Sequence, residues 1–471
     1  EVPQVQDLEV DLSKIDLAKL EELPNCTNGE LPLSAKFYKV TRHVQIQEPC
    51  NVTAHGTTLL VNATLKFVKT ARLDGKLSVK AMKALQGPCL AFEGDAFVAA
   101  SAELHLANCH NIVRSPRYDK MPDEVNGGAM NARGSLMVMG TLIIRDCRTK
   151  DGKGGAIAVK QDFFHNGSIS IINSSAGLSG GSIYVEQNFH HSGGSISIEG
   201  SSGYKGGAIA VKQDFFHNGS ISIINSSAAD DGGAIHVRKN FHHSGGSISV
   251  EGSSAKYFGG AIHAEQNFNH SGGSISVEGS SAGLSGGAIR VGYHFTQSGG
   301  SLAVTNSAAQ KSGGAIGVSK NFHHSSGSIS VEGSSAGQNG GAIYVNKHFT
   351  QSSGSLAVTN SSAKGAGGAI YVTEDFTQSG GSLAVTNSSA KGAGGGLYVA
   401  GHMVFTNAMV TFSQCHAGLE GGGINTLGNV SITNASLSFE LATTDGGGAA
   451  LLGDSLEQVG GRMTVYNSSA S

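Results

Sequence analysis

The chain of 471 residues has no tryptophan, and only 14% of its residues are charged, for a formal net charge of -3. So little charge excludes the electrostatic footprint expected of a nucleic-acid binder or of a protein held on anionic lipid. No stretch approaches about twenty consecutive apolar residues, which excludes a membrane-spanning helix. Through the body of the chain the apolar residues do not recur at helical spacing, and long runs of good helix formers are missing, so a helical repeat is excluded as well. There are six cysteines and none forms a C-x-x-C pair, leaving zinc and dithiol redox motifs without support.

What is abundant is glycine, 69 residues of it, in a fixed rhythm. A Gly-Gly pair followed by a small residue recurs with its first glycine at 127, 154, 180, 206, 232, 259, 286, 313, 340, 367, 394, 421 and 446. Successive subtraction gives steps of 27, three of 26, seven of 27 and a final 25. A fixed period in this range marks a solenoid, whose unit cannot bury its apolar face alone and must stack on its neighbours. In each unit three short pieces are β-branched or alternate with period two, as in Ala288-Ile289-Arg290-Val291, His294-Phe295-Thr296-Gln297 and Ser301-Leu302-Ala303-Val304. Gly, Asn and Ser separate them at the corners. Three strands and three corners per coil predict an all-β fold, a parallel β-helix with coils about 4.8 Å apart.

Residues at equal offsets from the glycine pair should then stack as columns. Nine residues on stand Phe163, Phe189, Phe215, Phe241, Phe268, Phe295, Phe322, Phe349 and Phe376, followed by Met403. Such an aromatic column is expected inside, because stacked rings gain ~0.5–1.5 kcal/mol per pair beyond the area they bury. Ile157, Ile183, Ile209, Ile235, Ile262 and Ile289 form a second interior column, and Ile169, Ile196, Ile221, Ile248, Ile275 and Leu302 a third, flanked by outward Ser.

Three segments follow. Residues 1–35 are expected to form an N-terminal cap, with Leu8, Leu12, Ile15, Leu17 and Leu20 lining one face of a helix over residues 7–22 that Pro24 ends. Such a helix would cover the open edge of the solenoid. Residues 36–126 read as irregular early coils, with a proline-containing loop at 115–125, and residues 127–471 as the regular array. Five of the six cysteines fall in the first third, beside the sequons at Asn25, Asn51 and Asn62. This favours a secreted or cell-surface protein with disulfides among Cys26, Cys50, Cys89 and Cys109, of open connectivity. A chain that begins at Glu1 is read as processed or trimmed.

Polar columns offer the candidate chemistry. His165, His191, His217, His243 and His270, then Gln297, His324, Gln351 and Gln378, share one offset. Replacement of His by Gln suits a corner or hydrogen-bonding column better than a metal site, so no metal and no cofactor is expected. Asp162, Asp214, Asp230, Asp231, Asp375, Asp445 and Asp454 do not line up in adjacent coils, and the Glu199, Glu251, Glu278 and Glu332 column is broken by Ile224 and Thr305. These patterns argue against paired catalytic carboxylates and for a solvated edge. Asn173, Asn225, Asn306, Asn360 and Asn387 alternate with Gly at one corner, as a left-handed backbone requires. They are expected to form a buried ladder closed to glycosylation, which leaves Asn51, Asn62, Asn166, Asn218 and Asn269 as glycan candidates.

The Gly-Gly-Ala-Ile tetrapeptides at Gly154, Gly206, Gly232, Gly259, Gly286, Gly340 and Gly367, each after an Asn-Ser-Ser-Ala-like corner, resemble the polymorphic outer membrane protein repeats of chlamydiae, repeats also found in surface proteins of some microbial eukaryotes. The resemblance covers residues 127–470. It implies a right-handed β-helix, surface exposure and an adhesive or structural role. The Phe-x-x-Asn motif of that family does not recur regularly here, so the resemblance is carried over for the passenger-like fold. The expected function is a non-enzymatic extracellular rod, structural or adhesive, in a surface filament or matrix. The alternatives are a carbohydrate-active β-helix enzyme, which a groove of three or more convergent Asp, Glu, Lys or Arg would favour, and an ice- or crystal-binding surface. Expected partners are other copies of the chain or an extracellular polysaccharide, through an uncharged face that includes Ser197, Ser222, Ser249, Ser276 and Ser330.

Overall fold

The Gly-Gly corner decides where each coil turns. Its first glycine lies in the left-handed region, with φ of 67° at Gly232 and 69° at Gly286. A Cβ on the second, as at Gly287, would collide with the carbonyl oxygen of Gly314 in the next coil. Neither position admits a side chain, and the pair recurs for that reason. In a computed structural model describing residues 15–114 and 125–470, these corners build a parallel β-solenoid of about 15 turns with about 27 residues per coil.

One coil shows the plan. Ile262–Ala264 belongs to the first sheet, Phe268–His270 and Ser274–Glu278 to the second, and Ser281–Ala282 to the third. Stacked over the described residues, the three sheets hold 16, 31 and 14 strands, with each strand pairing in parallel with its counterpart one coil on. Register is kept column to column, for example Ile262↔Ile289, Phe268↔Phe295 and Ser276↔Ala303. All nine phenylalanines from Phe163 to Phe376 are fully buried. Most of their rings stack nearly parallel, 4.7 Å apart for Phe163 and Phe189 and 4.9 Å for Phe241 and Phe268, while Phe215 and Phe241 meet edge to face at 5.2 Å. The Ile and Val columns of all three strand positions fill the remaining interior.

Corner side chains tie coil to coil. The Asp162 carboxylate accepts from the Asn188 backbone and side chain at 2.9 and 3.1 Å, and Asp214 does the same for Asn240 at 3.0 and 2.9 Å. Asp375 accepts from the His402 backbone at 2.9 Å. These aspartates are therefore committed to the fold. The early coils are irregular, with steps of 21 residues from Val44 to Leu65, 25 from Leu65 to Leu90, and 40 from Leu90 to Met130. Disulfides Cys26–Cys50 and Cys89–Cys109 staple this end, while Cys147 and Cys415 are free and buried.

Three expectations change. The N-terminal helix is not supported: within residues 15–22 there is only one turn of 3-10 helix, Leu17–Lys19, and then strand Glu21–Glu22, which pairs with Tyr38 and Lys39. An open parallel edge offers the backbone more hydrogen bonds than an isolated short helix can keep. Residues 7–14 of that stretch, and the expected loop from 115 to 124, lie outside the described residues. The β-helix also begins earlier than residue 36, because Glu30–Leu33 already pairs with Asn51 to Ala54. Finally, the last corner falls at Gly448 (φ 67°) rather than Gly446, since Ile424 pairs with Leu451, so the final step is 27 residues.

Candidate functional site

The histidine column lies inside the solenoid. In a strand, residues two apart share a face, so Phe163 and His165 both point inward, and His165, His191, His217, His243, His270 and His324 are at most 1% exposed. Neighbouring imidazoles sit 4.8–4.9 Å apart from His165 to His270. Burial pushes His165 down to about 3, His191 to about 4, His217 to about 2 and His243 to about 3, with repulsion from neighbouring imidazoles adding to it at His165, His217 and His243. His270 and His324 lie below their ordinary values from the same burial. One ring pair is bonded, His217 Nδ1 to His243 Nδ1 at 2.7 Å, so one of these rings carries its proton on Nδ1. Two of the three Gln residues of the column act as hydrogen-bond bridges, whereas the buried Gln378 amide makes no such bond. Gln297 Nε2 donates to Gly300 and, one coil on, to Ser328, at 3.3 and 3.1 Å, and Gln351 repeats this with Gly354 and Ser382 at 3.3 and 3.0 Å. The column is therefore a neutral polar seam beside the corner glycines.

The corner asparagines adopt the expected left-handed backbone, from φ 48° at Asn387 to 54° at Asn360. Their side chains are exposed, however, and Asn387 Nδ2 donates to Asn360 Oδ1 at 2.7 Å along the surface. The expected buried ladder is thus corrected: a corner turns the backbone sharply and aims its side chain outward. Among the glycan candidates, Asn51, Asn166 and Asn218 are exposed, and Asn62 and Asn269 half-buried. The serine column pairs without offset through Ser197, Ser222, Ser249, Ser276, Ala303, Ser330, Ala357 and Ala384. Ser249, Ser276 and Ser330 are exposed, Ser197 and Ser222 half-buried. Glu199, Glu251, Glu278 and Glu332 stand exposed at the edge of this face.

The densest polar chemistry lies elsewhere, on the outer face of the first sheet, where the fourth residue after each corner glycine points outward. Here His236 and His263 come from adjacent coils, and Asp230 and Asp231 from the corner before them. Lys205 Nζ lies 3.6 Å from Asp230, 3.3 Å from Asp231 and 3.2 Å from Glu265. His236 Nε2 is 3.0 Å from Glu265 Oε1. Burial works to raise the carboxyl of Glu265, but His236 and Lys205 together hold it down to about 2. Burial likewise opposes charge on Asp231, and His263, Lys205 and His236 outweigh it to keep that group low. Lys205 is held above its ordinary value, the three carboxylates overcoming burial. A groove of about 360 Å³ opens on Lys205, His236 and Glu265, with Lys153, Lys212 and Arg238 around it. Further along, Arg290 packs over Phe258 at 5.2 Å and donates to Ser319 at 2.6 Å. Beyond it Tyr344, Tyr371 and Tyr398 stack at 5.4 and 4.9 Å, half-exposed. These rings cover one another's faces and present a row of hydroxyl-bearing edges beside the charged groups, which can hydrogen-bond an extended polar ligand. A column-by-column search misses this region because its residues differ from coil to coil. That irregularity, at one outward offset of a regular repeat, is the signal that could have found it.

Among the described residues no helix is long and apolar enough to cross a membrane. Compared with protein-family models, with curated proteins and with solved structures, the chain matches none.

Proposed function

We propose that this β-helical rod is a secreted or cell-surface protein with a non-enzymatic, structural or adhesive role, and that it associates through the third-strand face of the second sheet. The observation that carries the reading is that face. From Ser195 to Ala384 two of its three outward columns hold only Ser or Ala, in register, and charge is confined to the third, where Glu199, Glu251, Glu278 and Glu332 line the edge. Exposed sheets ordinarily carry Lys, Glu or Thr, which discourage association. Small side chains let a second surface approach closely and lose little conformational entropy on contact. The occupant is another copy of the chain or a flat polysaccharide. The resemblance of the Gly-Gly-Ala-Ile repeats to chlamydial surface proteins supports the same reading.

Substituting Ser249, Ser276 and Ser330 together by Lys should leave the fold intact and abolish association, because three like charges would lose their water against the partner. Sedimentation and polysaccharide co-pelleting read the outcome, and unchanged association removes this face as the interface. Secretion, with N-glycans on exposed sequons such as Asn51, Asn166 and Asn218, is supported by the two disulfides. Thiol labelling of the denatured, unreduced protein should tag Cys147 and Cys415 alone. Labelling of all six cysteines in natively produced protein would contradict it.

A carbohydrate-active enzyme is the second reading, and Lys205, Asp230, Asp231 and Glu265 favour it by converging at one groove. It requires bond cleavage or elimination in acidic or neutral polysaccharides, read by mass spectrometry of the products. Product loss on Glu265→Gln would establish it in place of the first.

A further inference from the structure

The corner before Gly232 and the outer face of the first sheet bring one carboxylate and two imidazoles from neighbouring coils together. Ligand atoms of Asp231, His236 and His263 all lie within 4.8 Å of one another, and all three residues are buried. We propose that they bind a divalent transition-metal ion of the zinc class, and that Glu265, which lies 3.0 Å from His236 outside that cluster, shifts to become the fourth donor. A set of two imidazole nitrogens with carboxylate oxygens suits such an ion, whereas calcium and magnesium take oxygen ligands.

Two further observations point to a ligand. His263 Nδ1 stands 3.6 Å from Asp231 Oδ2, too far for a hydrogen bond, and has no other partner although its side chain is only 9% exposed. A buried ring nitrogen left so is costly, and a metal bond satisfies it. The charge balance also leaves room for a cation. Of the cations around the groove only Lys205 reaches Asp230, Asp231 and Glu265, Lys212 being paired with Glu186 and Lys153 with the Tyr184 hydroxyl, while the Arg290 guanidinium bonds Ser319 and acts on Asp231 from farther off. The groove lined by His236 and Glu265 gives an ion its path in. Lys205 is then the competitor: it pairs with the oxygens the ion needs and is left with Asp230 when the ion binds.

The inference does not depend on the adhesive reading, and its test reads metal alone. The full chain, stripped with chelator, is titrated with Zn2+ by calorimetry and with Co2+ by visible absorption. The parent should take up one ion at this site, with the Co2+ bands of a low-coordinate nitrogen and oxygen set. His236→Ala and His263→Ala should each weaken binding by at least about tenfold, the loss already caused by removing outer partners of a bound metal. Asp231→Asn, which keeps the side-chain volume, gives the same reading if an alanine variant does not fold. Lys205→Met should bind more tightly than the parent. Absence of saturable binding by the parent overturns the site. So does binding unchanged in both histidine variants, which would assign the ion to the half-buried His190 and His242 or to the interior column. Weaker binding by Lys205→Met contradicts the competition on which the site is built.

Discussion

Along the third strand of each coil two outward positions repeat Ser or Ala from Ser195 to Ala384 and the last carries Glu, Ile or Thr, whereas the outward column of the first sheet runs through Tyr184, Ala210, His236, His263, Arg290, Gly317 and Tyr344. The two faces belong to the same coils, stacked at the same spacing and held by the same corners. Backbone sterics therefore do not force one to repeat and the other to vary. Repetition of small side chains, with charge kept to one edge, makes a surface that can meet another flat surface over many coils. Variation concentrates dissimilar groups at one height, and that is what brings Lys205, Asp231, His236, His263 and Glu265 together. The interior is a third region, as uniform as the serine face but polar along one seam.

The largest expected effect comes from that seam. Six histidines are buried in neutral form, and what faces them is one another and the backbone of corner glycines such as Gly193, Gly194, Gly272 and Gly273. The folded state resists protonation where the unfolded chain takes protons freely. Stability is therefore full above pH ~6.5 and falls as the pH drops through it toward the depressed values. Each unit of depression is worth about 1.4 kcal/mol, so several groups acting together dominate. The urea midpoint should fall steeply between pH 7 and pH 5, a range above the ordinary glutamate value of 4.5, so the slope belongs to the imidazoles and not to Glu265. His217→Gln with His243→Gln should flatten it, Gln being the residue that already occupies the column at 297, 351 and 378. A midpoint independent of pH in this range would contradict the buried neutral column.

A smaller effect comes from the aromatic column. Phe268→Ala leaves a cavity between Phe241 and Phe295 and should cost about 3–5 kcal/mol in denaturant unfolding at pH 7. A loss near zero would mean that the coils close around the gap. Substitutions on either outer face should change stability far less than this, because no core contact is lost.

The sequence exposes most of the fold because a column read down a fixed offset averages over nine coils. The Phe163–Phe376 column, the Ile columns and the left-handed asparagine corners are legible for that reason. Misreadings arise where the repeat gives no leverage. Gly446-Gly447-Gly448 offers two overlapping pairs, and the pairing of Ile424 with Leu451 selects neither, placing the corner at Gly448-Ala449. Near the N-terminus no copy exists to check an amphipathic pattern against, and strand pairing of Glu21 and Glu22 wins over it. For the histidines the two-residue spacing from Phe163 to His165 already places both on one face. Polarity suggests an exposed corner, but alternation within a strand decides the direction of a side chain. The cluster on the first sheet is hidden by the same habit of seeking regular offsets, since Lys205 and Asp231 share an offset with Lys153, Ser179, Phe258, Ser285, Asn339, Ala366 and Glu420, a column with no common chemistry.

The division of labour between the two faces is tested most directly by sedimentation of three proteins side by side: the parent, the triple lysine variant at Ser249, Ser276 and Ser330, and a triple variant of the first sheet, Lys205→Met, Glu265→Gln and Arg290→Met. Association that survives in the first-sheet variant and disappears in the serine-face variant is the predicted result. Association lost only in the first-sheet variant, or retained in the serine-face variant, would contradict it.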